Sequence, residues 1–252
     1  MPFRRLSILC SVLLAAALQP TSAEEVQGLA LPVKQVSVSS PTFQEIITAV
    51  LVEEGDVVQE GQELLQLRSE KERLEVLRTQ KLIELGEFKS KGADTLFREK
   101  MGSREKAMEE QAQLELARIL HQQAEVALRE KTLRSPLSGT VVKKYKEAGE
   151  AVERAEKLFD IVNIDQIYVQ FYIDPKLIPV VRENQEIDLR FPVIGPDSFK
   201  GKIAFVDPRI DAGSGLFRIK VRLENPTHKI KPNMRCLADF SGLAQGGNRP
   251  PR

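Results

Sequence analysis

Tryptophan is absent, and only two cysteines and two histidines occur in 252 residues. So few soft or aromatic ligands leave no basis for a Cys/His metal cluster or a disulfide framework. Neither sign of charge dominates, with 37 Lys and Arg against 36 Asp and Glu. A chain without a basic surplus has no counterion-release term to drive it onto DNA or RNA, so nucleic acid is not an expected partner. No apolar run reaches the roughly 20 residues that span a bilayer. Catalytic patterns are missing too: the nearest carboxylate pairs, Glu53-Glu54 and Glu109-Glu110, read as a turn and a solvated helix face, and neither histidine completes a Ser/His/Asp pattern. Proline is missing between Pro41 and Pro136, yet ten of the 14 prolines lie from Pro136 onward. That imbalance separates a helical region from a β-rich one.

The first 23 residues hold a basic start (Arg4, Arg5), an apolar run from Leu6 to Leu18 and a polar end with small residues at Thr21 and Ala23. This pattern predicts a secretory signal peptide cut between Ala23 and Glu24. Cys10 lies inside the apolar run behind Leu9, which is not the setting of a lipid-attachment cysteine. The mature chain then carries a net charge near −1 and one cysteine, Cys236. That residue shares an alternating face with Met234, Ala238 and Phe240, so a buried, inert thiol is expected.

Residues 68–133 are rich in charges of both signs and helical in pattern. Leu74, Leu77, Leu82, Leu85 and Phe88 form one stripe. Ala107, Leu114, Ala117, Ala124 and Leu128 fit a heptad seam that Glu110 and His121 interrupt. Gly102-Ser103 breaks the run, with Ser103 placed to cap a second helix and Glu105 near its positive end. Glu87–Lys91, Glu125–Arg129 and Glu130–Arg134 are spaced as favourable i,i+4 pairs. An antiparallel coiled-coil hairpin follows, with arms of about 45 Å. Gly86 and Gly92 each weaken the first arm by about 1 kcal/mol relative to alanine.

The flanks of this hairpin, 43–67 and 134–163, resemble each other at an offset of 94: Glu53 meets Glu147, Gly55 meets Gly149, Val58 meets Val152, Leu64 meets Leu158 and Leu67 meets Ile161. Gly61 is answered by Ala155, and Ser40-Pro41 sits one place out of register with Ser135-Pro136. Each copy reads as strand, acidic-glycine turn and strand, and neither alone buries its apolar face. Together they close a small sandwich.

From 164 to 241 the period becomes two, as in Ile167 to Ile173, Ile187 to Phe191 and Phe217 to Leu223, and a small antiparallel barrel is expected. Residues 33–39 alternate as well and are expected as one more strand of that barrel. Asp174-Pro175 opens a short helix ending near Val181. Residues 242–252 are too polar and Gly/Pro-rich to fold and form a tail.

At this point the chain resembles the periplasmic adaptor subunits, or membrane fusion proteins, of HlyD and resistance-nodulation-division (RND) exporters. The resemblance spans about residues 33–240. It is carried by Val50 to Gln62 for the first lipoyl-like half, by Ser135-Pro136-Leu137-Ser138-Gly139-Thr140-Val141-Val142 for the second, and by Asn225-Pro226 and Lys231-Pro232-Asn233-Met234 in the barrel. Asn233 stands where the family has glycine in a turn. The resemblance implies a mostly β, elongated modular chain: a split lipoyl-like sandwich, a coiled-coil hairpin and a β-barrel. It implies a non-enzymatic adaptor, without cofactor or metal, that links an inner-membrane transporter of RND or ABC type to a TolC-like outer-membrane channel. A homo-oligomeric ring and a periplasmic site, held at the inner membrane through the transporter, follow from it.

The working end is then the hairpin tip, with Leu96, Phe97, Arg98, Met101 and Ser103 as the residues expected to meet a partner. Family members that dock on TolC-like channels carry an Arg, a Leu four residues later and a Ser seven beyond that. Leu96 and Ser103 keep the spacing, but Gly92 occupies the Arg position, with Lys89 and Lys91 nearby. The sequence also ends soon after the barrel, where many pump adaptors continue into a membrane-proximal domain, so docking through the barrel or a different kind of transporter is expected. Two other readings share these features. A secreted coiled-coil scaffold needs no transporter, and a lipoyl or biotinyl carrier has the same two-half sandwich. The carrier requires a modified lysine at the turn between halves, and Lys143 and Lys144 lie inside the second half instead.

Overall fold

The computed structural model describes residues 25–240 and Leu243. The expected signal segment with its Ala23/Glu24 cut, and the tail apart from Leu243, lie outside the described residues. The described part begins with a long strand, β1 (Glu25–Ser39), then β2 (Glu45–Val50), β3 (Val57–Val58) and β4 (Glu63–Leu67). Two helices follow, α1 (Glu70–Arg98) and α2 (Arg104–Arg129). The second run of strands is β5 (Thr132–Arg134), β6 (Gly139–Lys144), β7 (Ala151–Val152) and the long β8 (Lys157–Ile173). The last described strands are β9 (Glu186–Arg190), β10 (Ser198–Ile210), β11 (Phe217–Glu224) and β12 (Arg235–Asp239).

The sandwich is built twice over. β2, β3 and the 63–67 strand recur 94 residues later as β6, β7 and the start of β8, and the register recurs with them: Ile47 faces Leu67 as Val141 faces Ile161. The halves interlock by exchange, β2 pairing with β7 and β3 with β6. Even the turn bonds repeat, since Gly55 N–H donates to Val141 O and Gly149 N–H donates to Ile47 O, both at 2.8 Å. One buried core from both halves holds Ile47, Leu64, Leu67, Val141, Leu158 and Ile161. The one-residue slip at Ser40-Pro41 is a loop of one extra residue before β2, where Gln44 takes φ +48°.

The barrel closes through β1, β12, β9, β10, β11 and β8, with β8 returning to β1, all antiparallel. The alternation foreseen for Ile167 to Ile173 and Phe217 to Leu223 is present, and Phe171, Phe191, Phe217 and Phe240 fill the centre. Phe171 and Phe240 meet edge to face with centroids 5.3 Å apart, the arrangement that ring quadrupoles favour. Cys236 is buried among them, and burial pushes its thiol up to about 12. Asn233 takes φ +66° in the turn before β12 and donates its N–H to Ala30 O at 2.8 Å.

Three expectations are corrected. Residues 33–39 are not a barrel strand: β1 is one continuous strand whose 25–32 part closes the barrel, while 34–39 pair with Lys157–Asn163 and seat Val36 and Val38 on the sandwich core. Alternation marks a strand but does not name its neighbour, and β1 and β8 run through both modules as a two-strand ribbon. The helix after Asp174 is a single 3₁₀ turn, Pro175–Leu177, because Pro179 supplies no N–H to continue it.

The third correction concerns α1. Leu74, Leu77, Leu85 and Phe88 are exposed, and the helix turns Val76, Thr79, Ile83 and Gly86 inward instead. The heptad seam of α2 is as expected, with Leu114, Ala117 and Ala124 buried and Glu110 buried beside them. Gly86 sits against Leu114, and Thr79 Oγ1 lies 3.0 Å from His121 Nδ1, so the small and polar residues of α1 answer the large and polar ones of α2. Glu87 faces Arg118 across the pair at 3.5 Å rather than Lys91 along its own helix.

Candidate functional site

The turn between α1 and α2 is set by local chemistry. Lys100 N–H donates to Phe97 O at 3.0 Å and Met101 N–H to Leu96 O at 2.8 Å, with Lys100 left-handed at φ +59°. This is a Schellman closure with lysine in the place glycine normally takes. Gly102 follows because a Cβ there would stand 3.1 Å from Leu96 Cβ and 3.3 Å from the Phe97 nitrogen. Ser103 Oγ then accepts from Lys106 N–H at 3.1 Å and caps α2.

The five tip residues do not share one role. Met101 is 68% exposed, Leu96 47% and Phe97 41%, so all three offer apolar surface at the end of the helix pair. Leu96 lines a groove of about 570 Å³ with Phe88, Gly92, Ala93 and Gly102. Phe97 lies on the other side, beside Arg104, Ala107 and Met108. Arg98 is tied to Asp94 at 2.7 Å, and the Ser103 hydroxyl is engaged by the cap. At Gly92, where channel-docking relatives carry arginine, nothing stands within 4 Å of the position a Cβ would take.

Below the tip, Lys106 pairs with Glu109 and Glu110, each at 2.9 Å. The Lys106 hydrogen bond holds the Glu110 carboxyl below the usual carboxylate range, against the opposing effect of burial. At the other end of the helices sits a group that the sequence did not single out. Lys131 is buried, with Nζ 2.7 Å from Glu45 and 3.1 Å from Glu72. Burial works against its charge, but the two carboxylates outweigh it and raise its pKa. Glu45 belongs to the sandwich and Glu72 to α1, so this triad clamps the helices to their base. Its signal was an isolated lysine ending a helix next to a strand, a pattern too common to be diagnostic.

Among the described residues no group of His, Cys, Asp and Glu is placed to hold a metal ion. Lys144 is occupied by Glu53 at 2.6 Å and Glu147 at 2.8 Å, and Lys143 stands over the Tyr145 ring. The connection between the sandwich halves, where a carrier domain presents its modified lysine, is the helix pair itself. In the barrel, Asp207 is shared by Arg218 at 2.8 Å and Arg209 at 3.3 Å. No helix among the described residues is long and apolar enough to cross a membrane.

A split sandwich interrupted by two helices and followed by a closed six-stranded barrel defines the class: a periplasmic adaptor, or membrane fusion protein. Residues 35–163 match the family model of the CzcB-like barrel-sandwich hybrid domain, and residues 166–243 match that of the CusB-like β-barrel domain. The chain belongs to this family, of the RND/HlyD type. It is similar to a crystallised MacA–MexA chimera carrying the Pseudomonas aeruginosa MexA α-hairpin domain, with 18% identity, TM-score 0.76, and coverage of 85% of this chain and 76% of that one. The membrane fusion protein Spr0693 of Streptococcus pneumoniae R6 gives 14% identity and TM-score 0.70, over 85% of this chain and all of that one (100%). In sequence, the Nodulation protein NolF of Rhizobium meliloti is 25% identical over 108 residues, which are 43% of this chain and 29% of that protein.

Proposed function

We propose that this protein is a non-enzymatic adaptor for export across the cell envelope, joining an inner-membrane transporter of RND or ABC type to an outer-membrane channel of TolC-like kind. In this reading the mature chain works in the periplasm, after cleavage at Ala23/Glu24, as a ring of several copies, and its helices form a coiled-coil hairpin arm. The observation that carries the docking role is the tip. Leu96, Phe97 and Met101 expose apolar surface at the end of helices of 29 and 26 residues, about 40 Å from the sandwich at their base. Burying one such side chain against a partner contributes roughly 1.5–3 kcal/mol. The bare position at Gly92 means that the contact is made without the arginine of the usual motif, through the apolar residues and Arg98. Membership of the adaptor family supports the same reading.

The test is export by cells carrying Phe97→Ala with Arg98→Ala in the full chain, against the wild type and a deletion. Both side chains are exposed, so unchanged melting with export reduced toward the deletion is the expected result. Export at the wild-type level would move the partner contact away from the tip.

A further inference from the structure

A further pocket lies at the end of the barrel remote from the sandwich. The strand β8 runs from the sandwich to this end and finishes at Tyr172 and Ile173. There it meets the hairpin of β10 and β11, and the pairing sets Arg218 of β11 directly opposite Tyr172. Cross-strand partners share a face. Both side chains therefore stand on the outside of the barrel, while Phe171, Ile173, Phe217 and Ile219 point into its core. With Arg209, Ile210 and Leu216 they line a pocket of about 300 Å³.

One buried acid arranges the polar groups of this pocket. Asp207, whose side chain is 8% exposed, accepts from Arg218 Nη2 at 2.8 Å. It also accepts from the backbone N–H and the Nε of Arg209, at 3.1 and 3.3 Å. The Phe205 ring supports the Arg218 guanidinium, 5.7 Å from its centroid. Two guanidiniums thus share one carboxylate. Arg218 Nη1 and both terminal nitrogens of Arg209 are left without a protein acceptor among the described residues, and the buried Arg218 Nε has none either. The other acid of the pocket, Asp211, is engaged within its own turn, where it accepts from the Ser214 N–H and hydroxyl, both at 2.8 Å. The free groups are donors, held in a fork that suits a carboxylate.

The apolar wall continues past the pocket. Tyr172 and Leu216 also line a neighbouring groove of about 480 Å³ at the barrel end, which reaches Val26, Ile173, Leu177 and Phe240. The acids beside that groove are engaged as well: Asp174 accepts from Lys176 N–H at 2.8 Å, and Glu25 pairs with Arg190. From β11 across β8 to β1 is two strand spacings, about 10 Å, with the arginine fork at one end and the apolar groove at the other. We propose that this end of the barrel binds a single-chain amphiphilic anion, with its carboxylate on Arg209 and Arg218 and its alkyl chain laid over Tyr172 and Leu216 toward Phe240. A few convergent polar groups fix the head, and the apolar lining takes the body. The site is separate from the helix tip and does not depend on the adaptor reading.

The experiment is calorimetric titration of the purified full-length mature chain with decanoate, kept below its micellar concentration. Acetate supplies the head alone, and octyl glucoside a chain without charge. Decanoate should bind once per chain, at least about tenfold more tightly than either. Arg209 is exposed, so Arg209→Gln should weaken decanoate about tenfold with melting unchanged. Ile210→Ser, also at an exposed position, should weaken decanoate and leave acetate as it was. Octyl glucoside binding as tightly as decanoate would overturn the anionic head. Uptake of several decanoates per chain, unaltered by Arg209→Gln, would show adsorption and overturn the site. Absence of binding by a chain that melts normally would overturn it too. Export is read in no arm of this experiment, so a failure of the adaptor reading leaves its result untouched.

Discussion

Ala155 holds φ +62° at the position equivalent to Gly61, which holds φ +83° in the other half of the sandwich. Their N–H groups make matching bonds, to Ser40 O at 2.9 Å and to Ser135 O at 2.7 Å. The second half thus keeps the turn geometry of the first while carrying a Cβ that the left-handed region disfavours by about 1–2 kcal/mol.

Ala155→Gly should therefore stabilise the chain by about 0.5–1 kcal/mol, after the greater freedom of glycine in the unfolded state is deducted. Gly61→Ala should destabilise it by a similar amount. Paired urea melts of the two variants check this, and equal effects of the same sign would contradict the equivalence of the turns.

The Ser103 hydroxyl accepts from Lys106 N–H as the cap of α2, so Ser103→Ala should cost about 1 kcal/mol of helix stability. Ser103→Asp should keep the cap. If export follows helix stability across the two variants, serine acts by capping; a loss of export in the aspartate variant with melting intact would assign it a direct contact.

The Lys131 triad joins α1 to the sandwich through Glu72 and Glu45. Lys131→Met leaves both carboxylates facing each other without a cation, and a loss of about 2–3 kcal/mol is expected, reduced from the fully buried case because both acids keep some solvent. Adding Glu45→Gln and Glu72→Gln should recover much of it. Calorimetry of the single and triple variants measures the difference, and a triple variant no more stable than the single one would contradict the clamp.

Glu110 gives the helix pair an acid sensitivity. Its folded carboxyl lies below the usual 4.5, held there by Lys106, so its contribution is present above about 4.5 and disappears as pH falls through the lower folded value. Helical melting temperature followed from pH 6 downward should fall more steeply in the wild type than in Glu110→Gln. Identical slopes would show that the Lys106 pair does not act on stability.

Much of this architecture was legible in residue pattern. The offset that matches Gly55 to Gly149 works because turn glycines and strand hydrophobics are local requirements, and the same holds for the Ser103 cap and the Asn233 turn. What pattern did not reveal depends on partners distant in sequence. Leucines at 74, 77 and 85 look like a seam, yet Gly86 goes inside because Leu114 of α2 needs room. Alternation in 33–39 names a strand but not the sandwich beside it. Lys131 is one lysine among many until Glu45 and Glu72 are brought to it. For the tip, the cap and apolar content were readable, while the separation of Leu96 and Phe97 onto opposite sides came only from the helix crossing.

The central claim is that one chain touches an outer-membrane channel at its tip and an inner-membrane transporter at its β modules. A photocrosslinking residue placed in living cells at exposed Met101, and separately at exposed Val193 of the barrel, tests it directly. The account predicts that Met101 captures an outer-membrane channel protein and Val193 an inner-membrane transporter, with the Met101 product lost in Phe97→Ala/Arg98→Ala. Capture of one and the same protein at both positions, or of neither a channel nor a transporter at either, would contradict it.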